Sequence, residues 1–182
     1  PMPLASFCRH AGAGLLGFAL VSGAAAAATD LAVAKNRFIP ASAAEQHVAR
    51  FNAMEDEGVV NAIPNAQAAA WLEANVPRFV CADAEVEEIY WFRWWSLRKH
   101  LKRDPASGCW TFTEFITKPR PVSSALGHHL MELRWLRAQD YVDDYVTYWL
   151  RGHDGGPQPH LHKYSQWLAY ALWQRWLVTP DT

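Results

Sequence analysis

The residues with the most evident chemical potential form one aromatic and basic block, residues 90–100 (YWFRWWSLRKH). A helix places Tyr90, Arg93 and Trp94 on one side, because residues three and four apart are neighbours on its surface. Trp95 lies on another side. Aromatic planes beside a guanidinium can bind a sugar, since rings cover its apolar face and the Arg fork binds its oxygens. The spacing by itself favours the alternative, a Trp-rich helix buried in the core.

Several carboxylates are candidates for acid–base chemistry. Glu114 stands out because it lies between Phe112 and Phe115 in an aromatic-rich segment. The sequence has no GxSxG motif and no P-loop, which argues against a serine nucleophile of that type and against P-loop nucleotide binding. The remaining candidates are Glu132, Asp143, Asp144 and Asp154.

Two groups of histidines invite a metal hypothesis. The adjacent His128 and His129 point about 100° apart on a helix, so they suit hydrogen bonding better than joint coordination of one ion. The second group lies in a Gly- and Pro-rich loop, which can either fold back to chelate a metal or remain solvated. Its members are His153, Asp154, His160 and His162. We predict no metal site and no cofactor.

Composition and charge restrict the classes of function. The chain has 182 residues, with 17 Lys plus Arg and 18 Asp plus Glu, for a net charge of −1. This balance argues against a nucleic-acid partner, which requires a basic face. A hydrophobic fraction of 51% with 19% charged residues predicts a folded chain. Ten tryptophans far exceed the usual share of about one residue in a hundred.

The N-terminal segment has the pattern of a secretory signal peptide. Arg9 precedes an uncharged run of small and apolar residues, 11–28, which ends in Ala-x-Ala choices. We therefore predict a signal peptide over 1–28, a linker over 29–41 and an exported protein, periplasmic or extracellular, without a stable membrane span. Cys81 and Cys109 remain after cleavage, either as a disulfide or as two separate thiols.

Apolar periodicity predicts an all-α fold with a short extended insert. A capping box at Ser42 and Glu45 begins the first helix, Asn65 can cap the second, and Asp83 begins the third. The insert, near 109–117, is rich in aromatic and β-branched residues. The predicted helices cover about 42–56, 65–75, 84–103 and 126–137, then one that Asp140 caps, and last one from 161 or 164 to 178.

Residues 51–179 resemble bacterial glycoside hydrolases of the six-hairpin superfamily, which form an (α/α)6 barrel. The mannosylglycerate-hydrolase-like and glucosidase- or trehalase-like groups are the most similar. Residues 117–125 depart from the pattern of these groups. The matching motifs are NAIPN (61–65), EEIYWFRWW (87–95), TEF (113–115), GHH (127–129), RWL (134–136), DDY (143–145) and YSQW (164–167).

The resemblance implies a partial (α/α)6 toroid of helical hairpins over 42–182, the N-terminal part of a domain truncated at its C-terminus. It implies hydrolysis of a glycosidic bond in a carbohydrate substrate with inversion, by one carboxylic acid and one carboxylate base. No residue here matches the catalytic motifs, so neither role is assigned. The positions that resemble the sugar-binding end are Tyr90, Arg93, Trp94, Trp95, Glu114 and His128. The alternative function is a non-catalytic carbohydrate-binding or interaction domain, and no oligomeric state is predicted.

Overall fold

Helices make up most of the part of the chain that the structure, a computed structural model, describes. Residues 42–59, 61–118 and 120–179 are described, and all of them lie in one of the two compact units of the chain, Ile39–Thr182. The predicted signal peptide and linker lie outside the described residues. The predominantly helical content confirms the all-α prediction, whereas closure into an (α/α)6 toroid stays a prediction.

Six α-helices and one two-stranded sheet occur in the described ranges. Short 3-10 turns, Asn65–Gln67 and Ser123–Ala125, lead into α2 and α4. The helices are α1 (Ser42–Met54), α2 (Ala68–Asn75), α3 (Ala84–His100), α4 (Leu126–Leu133), α5 (Asp140–Arg151) and α6 (Leu168–Trp176); the strands are β1 (Leu101–Arg103) and β2 (Trp110–Phe112).

The first three helices pack around an aromatic core. Helix α1 contacts both α2 and α3. Phe51 of α1 is 1% exposed, and its ring lies 5.6 Å from that of Trp95 in α3. Asp83 caps α3 as predicted, since its carboxylate accepts hydrogen bonds from the N–H groups of Glu85 and Val86 at 3.0 and 3.3 Å.

A buried arginine ties the end of α3 to the turn before α2. The Arg98 side chain donates to the carbonyl of Ile63 and, at 2.7 Å, to Oδ1 of Asn65. Burial lowers the pKa of Arg98 to about 10, which leaves the guanidinium charged at neutral pH. Asn65 therefore does not cap α2 as the sequence suggested, because its side-chain oxygen is used by Arg98.

The prediction that α3 continues to 103 is wrong. The helix ends at His100, and β1 pairs antiparallel with β2, with Leu101 opposite Phe112. A turn closes this hairpin, in which Asp104 Oδ2 accepts from the N–H and the hydroxyl of Ser107, both at 2.8 Å. Gly108 supplies a positive φ of 72°, which a side chain would disfavour. The predicted extended insert is confirmed, but its regular part is only Trp110–Phe112.

The structure differs from the sequence prediction at three further helix ends: the end of α4 and the starts of α5 and α6. Helix α4 ends at Leu133, four residues before the predicted end. Asp140 is the first residue of α5, and the capping position before it, Gln139, makes no side-chain cap. Helix α6 starts only at Leu168, because Trp167 has a non-helical backbone with φ −112° and ψ 49°.

Helix α4 packs against both α5 and α6. Close contact with the segment before α6 depends on Gly127, where an added Cβ would lie 2.6 Å from the Trp167 ring. On the outer side, α6 exposes large rings, among them Trp173 at 53% and Trp176 at 52%.

A buried polar pair lies between α4 and α5. Nδ1 of His129 is 2.8 Å from the Tyr145 hydroxyl, and the ring packs edge-on against Phe112, with 4.5 Å between centroids. Burial lowers the pKa of His129 to about 3, and the charges of His100 and His128 act in the same direction. His129 is therefore neutral at pH 7.

Two remaining features bear on the sequence predictions. Cys81 and Cys109 are free thiols, each half-buried. Within the described residues, no helix has the length and apolar character needed to cross a bilayer.

Replacing Gly127 with alanine should destabilise the fold by about 1–2 kcal/mol, because the new methyl group displaces the Trp167 ring. Thermal unfolding and tryptophan fluorescence measure the effect. Gly58→Ala is the matched control, since a Cβ there meets nothing within 4 Å. An unchanged melting temperature in Gly127→Ala would contradict the close contact.

Acidification should destabilise the protein through His129. In the unfolded chain this residue takes up a proton near pH 6.5, whereas the folded state resists protonation until about pH 3. The free energy of unfolding therefore falls as the pH drops through this window.

Between pH 6 and pH 4, the free energy of unfolding should fall by about 2 kcal/mol less in His129→Gln than in the parent chain. Urea unfolding at each pH measures it. His153→Gln serves as the control, because the His153 side chain is 55% exposed. Identical pH profiles for the parent and His129→Gln would contradict a buried neutral imidazole.

Candidate functional site

Two cavities meet at an ion pair between α3 and α4. Nη2 of Arg93 lies 2.7 Å from Oε1 of Glu132, and both residues line both cavities. The first cavity has a volume of about 470 Å³ and the second about 370 Å³. We call the two together the Arg93 cleft. Its volumes fall in the range of small-molecule sites.

The first cavity is walled by aromatic rings. Tyr90 stacks on Phe79 with 4.5 Å between ring centroids, and its hydroxyl donates to the carbonyl of Pro77 at 2.6 Å. Trp94 is 5% exposed and Trp135 46% exposed, so one ring forms the inner wall and the other stands at the mouth. Burial raises the pKa of Tyr90, which keeps the phenol protonated as a donor.

The second cavity combines imidazoles with apolar side chains. His100 lies against β2, where Nδ1 is 2.8 Å from the carbonyl oxygen of Thr113. Burial lowers the pKa of His100 as it does that of His129. His128 is exposed, and its ring meets that of Trp167 edge-on, at 4.7 Å. The imidazoles of His100 and His129 are thus neutral groups that can exchange hydrogen bonds with a ligand hydroxyl.

Charge in the cleft is concentrated at its centre. The Arg93 side chain is 63% exposed and that of Glu132 33% exposed, so both reach solvent and a ligand. Of the described residues that line the two cavities, Glu132 alone carries a carboxylate. The cleft therefore offers flat apolar surfaces on either side of the Arg93–Glu132 pair.

Four of the six residues predicted to bind substrate line the Arg93 cleft. Tyr90, Arg93 and Trp94 lie in the first cavity, and His128 in the second. The side chains come together because the three α3 residues share one face of the helix.

Trp95 lies elsewhere, in the core at 3% exposure. Its indole N–H donates to Oδ1 of Asn52 at 2.8 Å, and the Lys99 ammonium lies 3.7 Å from its ring centroid. The residue therefore stabilises the contact of α3 with α1, as the alternative interpretation of the aromatic block holds.

Glu114 also lies outside the lining of the two cavities. Its two carboxylate oxygens accept from the N–H of Val122, at 3.2 and 3.1 Å. One of them lies 3.8 Å from Nε2 of His129. Glu114 thus binds the backbone of the segment before α4 and lies next to His129, which lines the second cavity.

Sequence reasoning did not assign several cleft residues. Phe79 precedes α3, and Trp135 follows the end of α4 at Leu133 although the predicted helix included it. Glu132 follows His128 by four residues, a spacing that places both on the same face of α4. That spacing was the available signal for Glu132.

The described residues contain no group of three His, Cys, Asp or Glu side chains that could hold a metal ion. In the Gly- and Pro-rich loop, His153 Nε2 lies 4.0 Å from Asp154 Oδ2. His160 instead packs on Trp149, with 4.9 Å between ring centroids. The loop residues considered for metal binding are therefore not gathered around one point.

Comparison with known proteins gives two matches. Residues 118–182 match the family model of the mannosylglycerate hydrolase MGH1-like glycoside hydrolase domain. The solved structure of a protein named sialidase matches with a TM-score of 0.72 and 42% identity, over 77% of this chain and 13% of that chain. The chain thus spans a small part of the length of that protein. No curated protein matches.

The matched residues include α4, with His128 and Glu132 of the cleft, and all of α5 and α6. The all-helical fold and the structural match extend the similarity to the preceding helices. Residues 118–182 are therefore similar to the glycoside hydrolase domain of mannosylglycerate hydrolase MGH1-like proteins.

Proposed function

We propose that the chain supplies a substrate-binding wall of an exported enzyme that hydrolyses glycosidic bonds with inversion. The observation that carries the proposal is the Arg93 cleft, in which an ion pair stands between aromatic walls. The family match at residues 118–182 supports the reaction class, and the pattern of residues 1–28 supports export.

Sugars suit a cleft of this kind. The C–H face of a pyranose packs on an aromatic plane, which Trp94 and Trp135 provide in the first cavity. Arg93 offers several N–H donors in a fixed plane and Glu132 offers acceptor oxygens, so together they match neighbouring sugar hydroxyls. The neutral His100 and His129 add uncharged polar contacts in the second cavity.

Inversion requires two carboxyl groups about 6.5–9.5 Å apart. Glu132 lies in the cleft but is paired with Arg93, an arrangement that suits a positioning role. We therefore leave the acid and the base unassigned. The substrate sugar, which the name of the sialidase neighbour does not fix, is left open.

Removing the aromatic mouth of the cleft should weaken substrate use. In the intact protein that contains this chain, we expect Trp135→Ala to raise KM about tenfold, because one stacking surface is lost. Trp173→Ala is the matched control, as its ring is similarly exposed at 53% but lies on α6. Steady-state hydrolysis of a panel of glycosides, including a sialoside, measures both variants.

Equal KM values for Trp135→Ala and the parent enzyme would exclude the first cavity as the sugar site. Absence of hydrolysis across the panel, with sugar binding retained in calorimetry, would favour the non-catalytic binding domain instead.

The stereochemistry of the product tests the mechanism. An inverting enzyme releases the anomer opposite to that of its substrate, because water attacks from the far face of the ring. Proton NMR of the first product, recorded before mutarotation, distinguishes the two outcomes. Release of the same anomer would show retention and exclude the proposed mechanism.

A further inference from the structure

A third cavity, separate from the Arg93 cleft, has a cationic lining. It has a volume of about 420 Å³ and lies where the segment before α4 meets the loop before α6. Arg120, His160 and Lys163 line it, together with Ser123 and Tyr164. We call it the Arg120 cavity. No acidic residue is among the described residues that line it.

The loop geometry brings the cationic residues together. The Lys163 N–H donates to the carbonyl of His160 at 3.1 Å, a turn that directs both residues to the same region. The His160 ring is held by its packing on Trp149. Arg120 and Lys163 are exposed, and neither forms an ion pair within the described part of the chain.

Two acidic side chains close to the Arg120 cavity accept hydrogen bonds from other groups. Glu114 accepts from the Val122 N–H, and Asp104 accepts from the N–H and hydroxyl of Ser107. Asp104 lines a neighbouring cavity of about 260 Å³ that shares Arg120 and His160. Among the described residues, Asp104 thus lies across the adjoining cavity and no acidic side chain lines the Arg120 cavity itself.

A buried hydroxyl gives independent evidence for a ligand. Ser123 is 1% exposed, and its Oγ has no hydrogen-bond partner among the described residues. An unsatisfied buried hydroxyl costs about 1–3 kcal/mol. An anion in the cavity would supply the missing acceptor.

We propose that the Arg120 cavity binds a tetrahedral oxyanion, the phosphate or sulfate group of a small molecule. Such a group presents several acceptor oxygens, which match the guanidinium of Arg120, the ammonium of Lys163 and the hydroxyl of Ser123. A carboxylate has only two oxygens and fills fewer of these contacts. The inference is independent of the proposed glycosidase activity, because it concerns a different cavity and is tested by binding alone.

The oxyanion has two possible sources, free anion or a phosphorylated or sulfated sugar. Tyr164, 51% exposed, offers a ring face on which a sugar can pack. Inorganic phosphate and glucose 6-phosphate distinguish the sources: equal affinity identifies the free anion, and tighter binding of the sugar phosphate identifies the sugar. Acetate is the carboxylate comparator.

Isothermal titration of the full 182-residue chain, in buffer free of phosphate and sulfate, tests the site. We expect phosphate to bind at least tenfold more tightly than acetate. The double variant Arg120→Gln with Lys163→Gln should lose at least tenfold in phosphate affinity. Arg50→Gln, which removes one exposed cation from α1, should bind as the parent does.

Ser123→Ala provides a second readout. Without ligand this variant should melt at the same or a higher temperature, because the unsatisfied hydroxyl is gone, yet it should bind phosphate several-fold more weakly. The proposal is overturned if the parent chain binds no phosphate, if acetate binds equally, or if the double variant or Ser123→Ala retains the parent affinity.

Discussion

Burial of α3 on more than one side is the constraint on which the rest of the structure depends. Trp91 and Trp95 point into the core at 2% and 3% exposure, while Tyr90 and Trp94 wall the cleft. One helix thus serves as both core and binding surface. Its end is fixed by Arg98, whose guanidinium satisfies the backbone and side chain of the 63–65 turn. A buried charge of this kind is tolerated only with such partners.

An ion pair joins α3 to α4 across the middle of the cleft. Arg93 and Glu132 span that distance while both remain partly exposed. An exposed pair contributes little to stability, so its importance lies in placing a donor and an acceptor between aromatic walls. Behind α4, the neutral His129 and Tyr145 form an uncharged support. The polar part of the site is therefore divided between a charged front and a neutral interior.

Much of this arrangement was predictable from local sequence. Helix existence followed from periodicity, and the Asp83 cap followed from its position before an apolar run. The shared face of Tyr90, Arg93 and Trp94 followed from helical spacing. The predictions that were wrong depended on contacts with residues distant in sequence. Residues 101–103 do not continue the helix because they pair with β2. Asn65 does not cap a helix because its side-chain oxygen accepts a hydrogen bond from Arg98.

The same limit applies to the site itself. Spacing showed that Trp94 and Trp95 face different sides but not which side meets the core, because that depends on where Asn52 and Phe51 of α1 lie. The functional assignment of Trp95 came from family resemblance, and its packing against α1 now gives it a structural explanation. Phe79 and Trp135 reach the cleft from irregular segments, where a one-dimensional pattern carries no directional information.

The uneven burial of the tryptophans has a spectroscopic consequence. Trp91, Trp95 and Trp149 are enclosed, whereas Trp135, Trp173 and Trp176 are about half exposed. Indoles in an apolar interior emit at shorter wavelengths than those in water, and a dissolved quencher such as iodide reaches only the latter. The molecule therefore carries two optically separable sets of reporters: the enclosed rings follow the integrity of α3 and α5, and the exposed rings follow whatever covers the segment after α4 and the outer side of α6.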